Sequence, residues 1–345
     1  MLIYLYSAHL RLSLLFYVGK RRQIDFALQN YEKFMTHARK ICVFAKKAVI
    51  LHRKIKRKLK IGVFDSGYGG LTILNAIRKE LPQYDYLYLG DNARAPYGTH
   101  SFDVIYQYTL QAVKYLFEQD CALIILACNT ASAKALRTIQ QRDLPLVKDK
   151  KVNVLGVIRP TVEAVPSITK TGHVGILATP ATVSSESYVL ELEKIAPNLT
   201  ITQQACPMWV PLIEAGEQNS EGAEYFVDEY LRQIVDKDPQ IDTLVLGCTH
   251  YPLLLEKINE WLSYHHQIEE SEFPEPVETP QIRTIAQGNL VANSLKDYLH
   301  RHPEYRNQLS KNGSCTYLTT ENADRFAQSA SNFIGSTIQA EHISL

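Results

Sequence analysis

Residues 60–81 read KIGVFDSGYGGLTILNAIRKEL, which combines a short apolar strand, a glycine-rich turn and an amphipathic helix. The strand at 61–64 is apolar apart from one glycine, and Leu71, Leu74 and Ile77 recur at helical spacing. A proline directly after the last leucine ends the helix. A strand that enters a helix through a tight turn is a building unit of α/β folds.

The same alternation of strands and helices continues along the rest of the chain. Further strands are predicted at 86–89, 123–126, 152–155, 174–177, 199–202, 243–246 and 282–285. Helices are predicted at 102–119, 131–141, 162–168, 184–195, 221–235, 290–300 and 322–334. Strands that alternate with helices pair in parallel, so we expect an α/β fold with mostly parallel sheets flanked by helices.

Two internal echoes indicate two similar α/β domains that face each other. Residues 174–179, VGILAT, loosely resemble residues 61–66, IGVFDS. The second echo relates Cys128 to Cys248, because each follows an apolar strand and a small residue. The chain is therefore predicted to form two pseudosymmetric domains with the active site between them.

The polar residues after each cysteine separate Cys128 and Cys248 from ordinary buried cysteines. Asparagine and threonine follow Cys128 at 129–130, and threonine and histidine follow Cys248 at 249–250. Strand ends hold such side chains rigidly at the edge of an open α/β sheet. Two thiols presented in this way suggest one site approached from both sides. That geometry suits removal of a proton from one face of a carbon and delivery of one to the other.

The other cysteines are predicted to be small buried apolar residues. They are Cys42, Cys121, Cys206 and Cys315. The chain has no C-x-x-C pair, so we expect neither a metal site with zinc-type spacing nor a disulfide scaffold. Reduced thiols are typical of a cytoplasmic protein.

Length and charge exclude several classes of protein. The 345 residues are enough for two domains with substantial cores. The formal net charge of +1 gives no reason to expect nucleic acid as a partner. The composition, with 46% hydrophobic and 21% charged residues, is typical of a globular protein.

Residues 1–59 differ in character from the rest of the chain. The apolar segment 1–18 is interrupted by His9 and Arg11, so it is too short and too polar for a stable membrane span, and it lacks the basic start of a signal peptide. Basic clusters follow it. One interpretation is a basic amphipathic helix that contacts a membrane or an anionic partner. We favour a poorly ordered extension outside the catalytic fold, or a start codon placed too early.

Two loops after predicted strands are candidates for binding. Residues 65–70, DSGYGG, join a strand to a helix, but they match neither the dinucleotide pattern nor the phosphate-binding loop with its lysine. Asp65 could cap the helix, hold an ammonium group or orient a thiol. Residues 90–98, GDNARAPYG, form either a plain turn or a loop in which Tyr97 and Gly98 offer backbone N–H groups to a carboxylate.

Two further side chains have open assignments at this stage. His250 could shift the neighbouring Cys248 towards the thiolate or assist proton transfer, and the alternative is a buried structural histidine. Glu214 ends an apolar stretch, and could belong either to the surface or to a site.

Four motifs, in this order, resemble those of glutamate racemases. They are IGVFDSGYGGLT at 61–72, GDNARAPYG at 90–98, ACNTASA at 127–133 and GCTHYPLL at 247–254. Two shorter motifs near the C-terminus, QGN at 287–289 and YLTT at 317–320, are similar to that family's tail. The resemblance covers residues 60–335 approximately.

The resemblance implies a cofactor-independent, cytoplasmic racemase that makes D-glutamate for bacterial peptidoglycan, commonly as a homodimer. It also implies that the tail folds back onto the first domain. The first domain would then contain residues 60–155 and 281–345, with Cys128. The second domain would contain residues 156–280, with Cys248.

Functional residues carry over by motif. Cys128 and Cys248 would be the two acid/base residues, and Asp65 and His250 would support them. The residues expected to contact the substrate are Asp65, Ser66, Tyr97, Gly98, Asn129, Thr130, Glu214, Thr249 and His250. We expect neither a metal ion nor a cofactor.

Two departures from the family and three alternatives accompany this interpretation. The departures are the segment 1–59, from which we infer no activation, and a longer acidic loop at 269–280. An aspartate, hydantoin or other amino-acid racemase would keep both cysteines but recognise another side chain. A thiol hydrolase would need only one cysteine as nucleophile. An amino-acid-binding protein without catalysis would need none.

Overall fold

The computed structural model describes residues 59–147, 151–272 and 280–345, all within one compact unit, Lys58–Leu345. For residues 265–272 it describes the backbone only. The predictions about residues 1–58, including the basic helix and Cys42, lie outside the described residues. Residues 273–279 of the predicted acidic loop also lie outside the described residues.

In the part of the chain that the structure describes, ten strands form two parallel sheets. Their bounds are Lys60–Asp65 (β1), Tyr86–Gly90 (β2), Cys121–Leu126 (β3), Asn153–Gly156 (β4), His173–Ala178 (β5), Thr200–Ala205 (β6), Thr243–Leu246 (β7), Arg283–Ile285 (β8), Cys315–Thr319 (β9) and Ala340–His342 (β10). The first sheet has the order β10-β9-β2-β1-β3-β4, and the second has the order β6-β5-β7-β8. All of these pairings are parallel, which confirms the predicted α/β class.

Helices connect these strands. Their bounds are Gly70–Glu80 (α1), Phe102–Glu118 (α2), Asn129–Lys134 (α3), Leu136–Thr138 (α4), Ile158–Ala164 (α5), Pro180–Val183 (α6), Ser187–Ile195 (α7), Trp209–Glu214 (α8), Glu221–Lys237 (α9), Leu255–Glu272 (α10), Gln287–Arg301 (α11), Pro303–Arg306 (α12) and Ala323–Ile334 (α13). A π-helical turn at Ile139–Asp143 extends α4. Within the described residues, no helix is long and apolar enough to cross a membrane.

Helices cover the first sheet on both faces. One face packs against α1, α11 and α13, and the other packs against α2 and α3. The predicted apolar stripe of α1 is fully buried, with Leu71, Leu74 and Ile77 at most 1% exposed. Burial of each such side chain contributes roughly 1.5–3 kcal/mol, so this stripe fixes the helix on the sheet. The turn at residues 65–69 is held at the carboxyl edge of β1 as a result.

The second sheet has the same layered construction. One face packs against α8, α9 and α10, and the other packs against α5 and α7. Strand β7 is apolar and buried along its whole length, as expected for a strand covered on both faces. The carboxyl ends of β5 and β7 lie side by side and lead into Thr179 and the Cys248 loop.

The chain passes to the second sheet after β4 and returns to the first after β8. Strand β8 pairs with β7, so residues 283–285 complete the second sheet, whereas the predicted division assigns residues 281–345 to the first domain. This strand is a correction to that division. The later part of the tail supplies β9, which pairs with β2, and β10. A second correction concerns residues 269–272, which end α10 and do not belong to a loop.

Candidate active site

Cys128 lies between the end of β3 and the start of α3. Its sulfur accepts a hydrogen bond from the Ala131 N–H (3.4 Å) and lies 3.3 Å from Ser66 Oγ. Burial and the charge of Asp65 raise the pKa of the Cys128 thiol to about 12, against smaller lowering contributions from Ser66 and the Ala131 N–H. The thiol is therefore neutral at pH 7 before substrate binds.

Asp65 ends β1, the strand next to β3 in the first sheet. Its Oδ2 accepts a hydrogen bond from the Gly67 N–H at 2.9 Å. Its Oδ1 is buried and accepts no hydrogen bond from the described residues. Burial raises the pKa of Asp65, and the charge of His250 and the Gly67 N–H partly offset this. A buried acceptor without a partner is costly, so Oδ1 is suited to receive a donor from a ligand.

Cys248 lies at the matching position of the second sheet, after β7. His250 Nδ1 is 3.7 Å from Cys248 Sγ, and His250 Nε2 is 3.0 Å from Glu214 Oε1. Burial lowers the pKa of His250, but the hydrogen bonds to Cys248 and Glu214 outweigh burial and raise it well above its ordinary value. The ring is held between the Cys248 sulfur and the Glu214 carboxylate.

Glycines allow the loops of the two sheets to touch. A Cβ built on Gly67 would lie 2.6 Å from Glu214 Oε1, and one built on Gly69 would overlap His250 and Thr249. Thr72 Oγ1 of α1 donates to the Thr249 carbonyl at 3.0 Å. The glycine-rich turn is therefore explained by its close approach to the second half of the site.

The turn at 97–98 lies against Thr179, which follows β5 of the second sheet. A Cβ on Gly98 would lie 3.0 Å from Thr179 Cβ. The Tyr97 side chain is buried, and its hydroxyl donates to Asp91. The hydroxyl is thus occupied within the protein, which leaves the Tyr97 and Gly98 backbone N–H groups as the donors for a carboxylate.

The two residues that directly follow Cys128 form side-chain hydrogen bonds with the second half of the protein. Thr130 Oγ1 lies 3.0 Å from Thr179 Oγ1. Asn129 Oδ1 accepts from the Tyr188 hydroxyl at 2.8 Å, and its Nδ2 donates to Gln287 Oε1 at 2.5 Å. One of the two Asn129 amide hydrogens remains for a substrate.

All of the predicted site residues line a single cavity. They are Asp65, Ser66, Tyr97, Gly98, Cys128, Asn129, Thr130, Glu214, Cys248, Thr249 and His250. Glu214, which could belong to the surface or to a site, lines this cavity and contacts His250 Nε2 through Oε1. Within the described residues, no group of three or more His, Cys, Asp or Glu side chains is arranged to hold a metal ion.

The cavity also contains residues that the sequence analysis did not select. Thr179 follows β5 and occupies the position that echoes Ser66, so the resemblance of 174–179 to 61–66 was a usable signal. Cys206 lines the cavity too, but it is 1% exposed and its sulfur contacts a backbone carbonyl, as expected for a structural cysteine. Cys121 is buried, as predicted, whereas Cys315 is only partly buried.

Comparisons with known proteins agree with this arrangement. The Asp/Glu/Hydantoin racemase family model matches residues 71–265. A curated glutamate racemase from Ruegeria sp. is 38% identical over 293 residues, covering 82% of this chain and 99% of the relative.

Solved structures give the same result. Glutamate racemase isoform RacE1 from Bacillus anthracis superposes with a TM-score of 0.70 at 29% identity, covering 83% of this chain and 98% of that one. Glutamate racemase from Francisella tularensis subsp. tularensis, in complex with D-glutamate, gives a TM-score of 0.69 at 32% identity with the same coverage. On the family match, the curated relatives and these structures, the chain belongs to the Asp/Glu/hydantoin racemase family.

Proposed function

We propose that this protein is a glutamate racemase, an isomerase that interconverts L- and D-glutamate by proton transfer between two cysteines and opposite faces of the α-carbon. The observation that carries the proposal is the pairing of Cys128 and Cys248. They come from different sheets, line one cavity and each have a polar partner, Ser66 for one and His250 for the other.

The named relatives support glutamate as the small-molecule substrate. The curated relative from Ruegeria is a glutamate racemase, and so are both solved structures described above. The Francisella enzyme was solved in complex with D-glutamate. At 32% identity over most of both chains, the likeness is strong enough to propose the same substrate here.

The chemistry needs stabilisation of negative charge at the α-carbon, because the α-proton of an amino acid is very weakly acidic. The unpartnered Oδ1 of Asp65 can hold the α-ammonium, which keeps it protonated beside the carbanion. The backbone N–H groups of Tyr97 and Gly98 and the hydroxyls of Ser66, Thr130 and Thr249 are suited to bind carboxylate oxygens. Such donors stabilise developing charge more strongly in a closed site than in water.

The L-glutamate direction assigns the base to Cys248 and the acid to Cys128. Cys248 Sγ lies 3.7 Å from His250 Nδ1, and in this proposal it removes the α-proton as the thiolate. Cys128 is neutral, because its pKa is about 12, so it can donate its S–H proton to the opposite face. The products are D-glutamate, a Cys248 thiol and a Cys128 thiolate. Exchange with solvent then restores the starting protonation.

The D-glutamate direction requires Cys128 to be the base. Burial is the main cause of the raised Cys128 pKa, and the Asp65 charge adds to it. An ammonium group bound to Asp65 offsets the second contribution, so substrate binding lowers that pKa. The role of each thiol then reverses. This coupling explains why a carboxylate lies beside a cysteine that must ionise during the reaction.

The cellular setting is part of the proposal. A glutamate racemase supplies D-glutamate for peptidoglycan, and the five described cysteines are all free, as suits a reducing cytoplasm. We further propose a homodimer. For the domains, we propose residues 60–155 with the tail as the first and 156–280 as the second, with the strand at 283–285 added to the second.

Incubation with each enantiomer tests the proposed function directly. L-glutamate in deuterated water should lose its circular dichroism signal as the α-position gains deuterium, and D-glutamate should behave in the same way. L-aspartate and a hydantoin should react far more slowly. Rapid racemisation of aspartate, hydrolysis of an amide, or binding without deuterium exchange would instead support the aspartate racemase, thiol hydrolase or binding-protein alternatives.

A further inference from the structure

A buried cluster of polar side chains lies directly behind the two cysteine loops. Its members are Asn129, Thr161, Tyr188 and Gln287, which we call the Gln287 cluster; all four are at most 3% exposed. The two hydrogens of Gln287 Nε2 are shared among three acceptors, Tyr188 Oη at 2.8 Å, Thr161 Oγ1 at 2.9 Å and Asn129 Oδ1 at 3.2 Å. Gln287 Oε1 accepts from Asn129 Nδ2.

Tyr188 contacts the residues that flank both cysteines. Its hydroxyl donates to Asn129 Oδ1 at 2.8 Å, immediately after Cys128. Its ring lies against Gly247, immediately before Cys248, where an added Cβ would come within 3.3 Å of Tyr188 Cε2. One rigid side chain from α7 therefore spans the distance between the two loops.

Gln287 connects the cluster to α11, the helix that follows β8, the last strand of the second sheet. It is the first residue of α11, which packs on α1 in the first sheet, while its partner Thr161 is in α5 and Tyr188 is in α7. Its amide is placed to donate to several acceptors at once and to accept from Asn129. Hydrogen bonds in so buried a place are strong, and a network in which each side chain is bonded holds one arrangement.

We propose that Tyr188 and Gln287 are positioning residues that set the spacing of the Cys128 and Cys248 loops. This rests on the proposed two-thiol reaction. Proton transfer requires both sulfurs to stay aligned with opposite faces of the α-carbon. Tyr188 and Gln287 have no direct role in the proton transfers at either thiol or at the α-carbon. They act through Asn129 on one side and Gly247 on the other.

The test uses two variants of the full chain, Tyr188→Phe and Gln287→Glu. The first removes the hydroxyl and keeps the ring, and the second keeps the shape and removes the amide donor. Misalignment should slow proton transfer, because small displacements of reacting groups cost up to about a hundredfold in rate. We expect kcat to fall about tenfold to a hundredfold in both directions, with a much smaller change in KM.

The kinetic isotope effect separates positioning from a merely structural role. With α-deuterated L- and D-glutamate, slower proton transfer should enlarge the isotope effect on kcat relative to wild type. A variant that is only partly folded would lose kcat while its KM and isotope effect stay unchanged. The double variant should lose less than the product of the two single losses, since the residues share one cluster.

Tyr298→Phe is the matched control, because it removes another tyrosine–asparagine hydrogen bond, the partly buried one from Asn153 Nδ2 at 2.8 Å. It should leave kcat and the isotope effect as in wild type. Wild-type-like kcat and isotope effects in Tyr188→Phe or Gln287→Glu would overturn the inference, and so would lost kcat with an unchanged isotope effect. If Tyr188→Phe does not fold, Gln287→Glu decides alone. Absence of racemisation by the wild-type chain would contradict the proposed function itself.

Discussion

Asp65 and Cys128 are buried at the same edge of the first sheet, and burial together with the Asp65 charge raises the pKa of the Cys128 thiol to about 12. On the other side of the site, His250 Nδ1 lies 3.7 Å from the Cys248 sulfur, and its Nε2 lies 3.0 Å from Glu214 Oε1. The two thiols therefore differ in electrostatic environment before substrate binds, although their loops resemble each other in sequence.

Replacing Asp65 with asparagine should make Cys128 more reactive in the free enzyme. The substitution removes a negative charge, so the pKa of Cys128 should fall and its thiolate fraction at pH 8 should rise. Labelling with iodoacetamide, followed by peptide mass spectrometry, measures this. In wild type the labelling rate should rise about tenfold per pH unit from 7 to 10, because the pKa lies above that range.

Asp85→Asn is the control for this experiment, since Asp85 is also a buried carboxylate of the first sheet but bonds to Ser314. It should leave the labelling of Cys128 unchanged. An equal or slower labelling rate in Asp65→Asn would show that the Asp65 charge does not govern the thiol.

Each cysteine should be required in both directions. Cys128→Ala and Cys248→Ala should lower kcat on the order of a thousandfold or more from either enantiomer, because each removes the acid or the base for one face. Circular dichroism of L- and D-glutamate measures both directions. Cys206→Ala, which alters the third cysteine of the same cavity, should remain active. Racemisation near the wild-type rate by either of the first two variants would end the two-thiol account.

Loss of the His250 ring should affect the two directions unequally. His250→Asn removes the imidazole beside Cys248 that can assist its proton transfer, so kcat from L-glutamate should fall about a hundredfold and kcat from D-glutamate less. The equilibrium constant between enantiomers is fixed at unity, so KM must change to match. Steady-state kinetics from both enantiomers provide the measurement.

His173→Asn is the matched control, because His173 forms a similar pair with Asp238 elsewhere in the second sheet. It should leave both kcat values unchanged. Equal losses of kcat in the two directions for His250→Asn would indicate that His250 only holds the loop in place.

The catalytic unit should not need residues 1–58. Leu59, the first described residue, donates its N–H to the Gln308 carbonyl and accepts from the Ser310 N–H, so the folded unit is already anchored there. Deletion of 1–58 should leave kcat/KM for L-glutamate unchanged. Deletion of 1–62 removes part of β1 and should give insoluble protein. An inactive or insoluble 1–58 deletion would place the start of the catalytic unit earlier.

Much of the site was predictable, because its residues follow apolar strands. The 65–70 turn comes at the end of β1, the Cys128 loop follows β3 and the Cys248 loop follows β7. In each case an apolar run before a polar turn can be recognised in the sequence. The carboxyl edge of a parallel sheet then brings those turns together. Thr179 was missed although it follows β5 in the same way, because its neighbours carry no thiol or charge.

Other features could not be predicted, because they depend on contacts between distant segments. Strand β10, with the sequence AEH, is short and has no apolar pattern. The family resemblance implies that the tail folds back onto the first domain, but the pairing of β9 with β2 in particular is set by contacts that local sequence does not show. The Gln287 cluster joins Asn129 to a residue far along the chain, and local periodicity carries no information about such a hydrogen bond.

The connection of the strands has a consequence for how the protein can be synthesised. The strands of the second sheet are contiguous in the chain, from His173 to Ile285, so this sheet can form while the ribosome is still adding residues. The first sheet cannot be completed at that point, because β2 pairs with β9 and β9 pairs with β10, and both strands are made later. Until β9 emerges from the ribosome, β2 is an open edge exposed to other nascent chains. A ribosome that stalls before β9 would therefore release a chain whose second sheet can form but whose first sheet has the unpaired edge of β2.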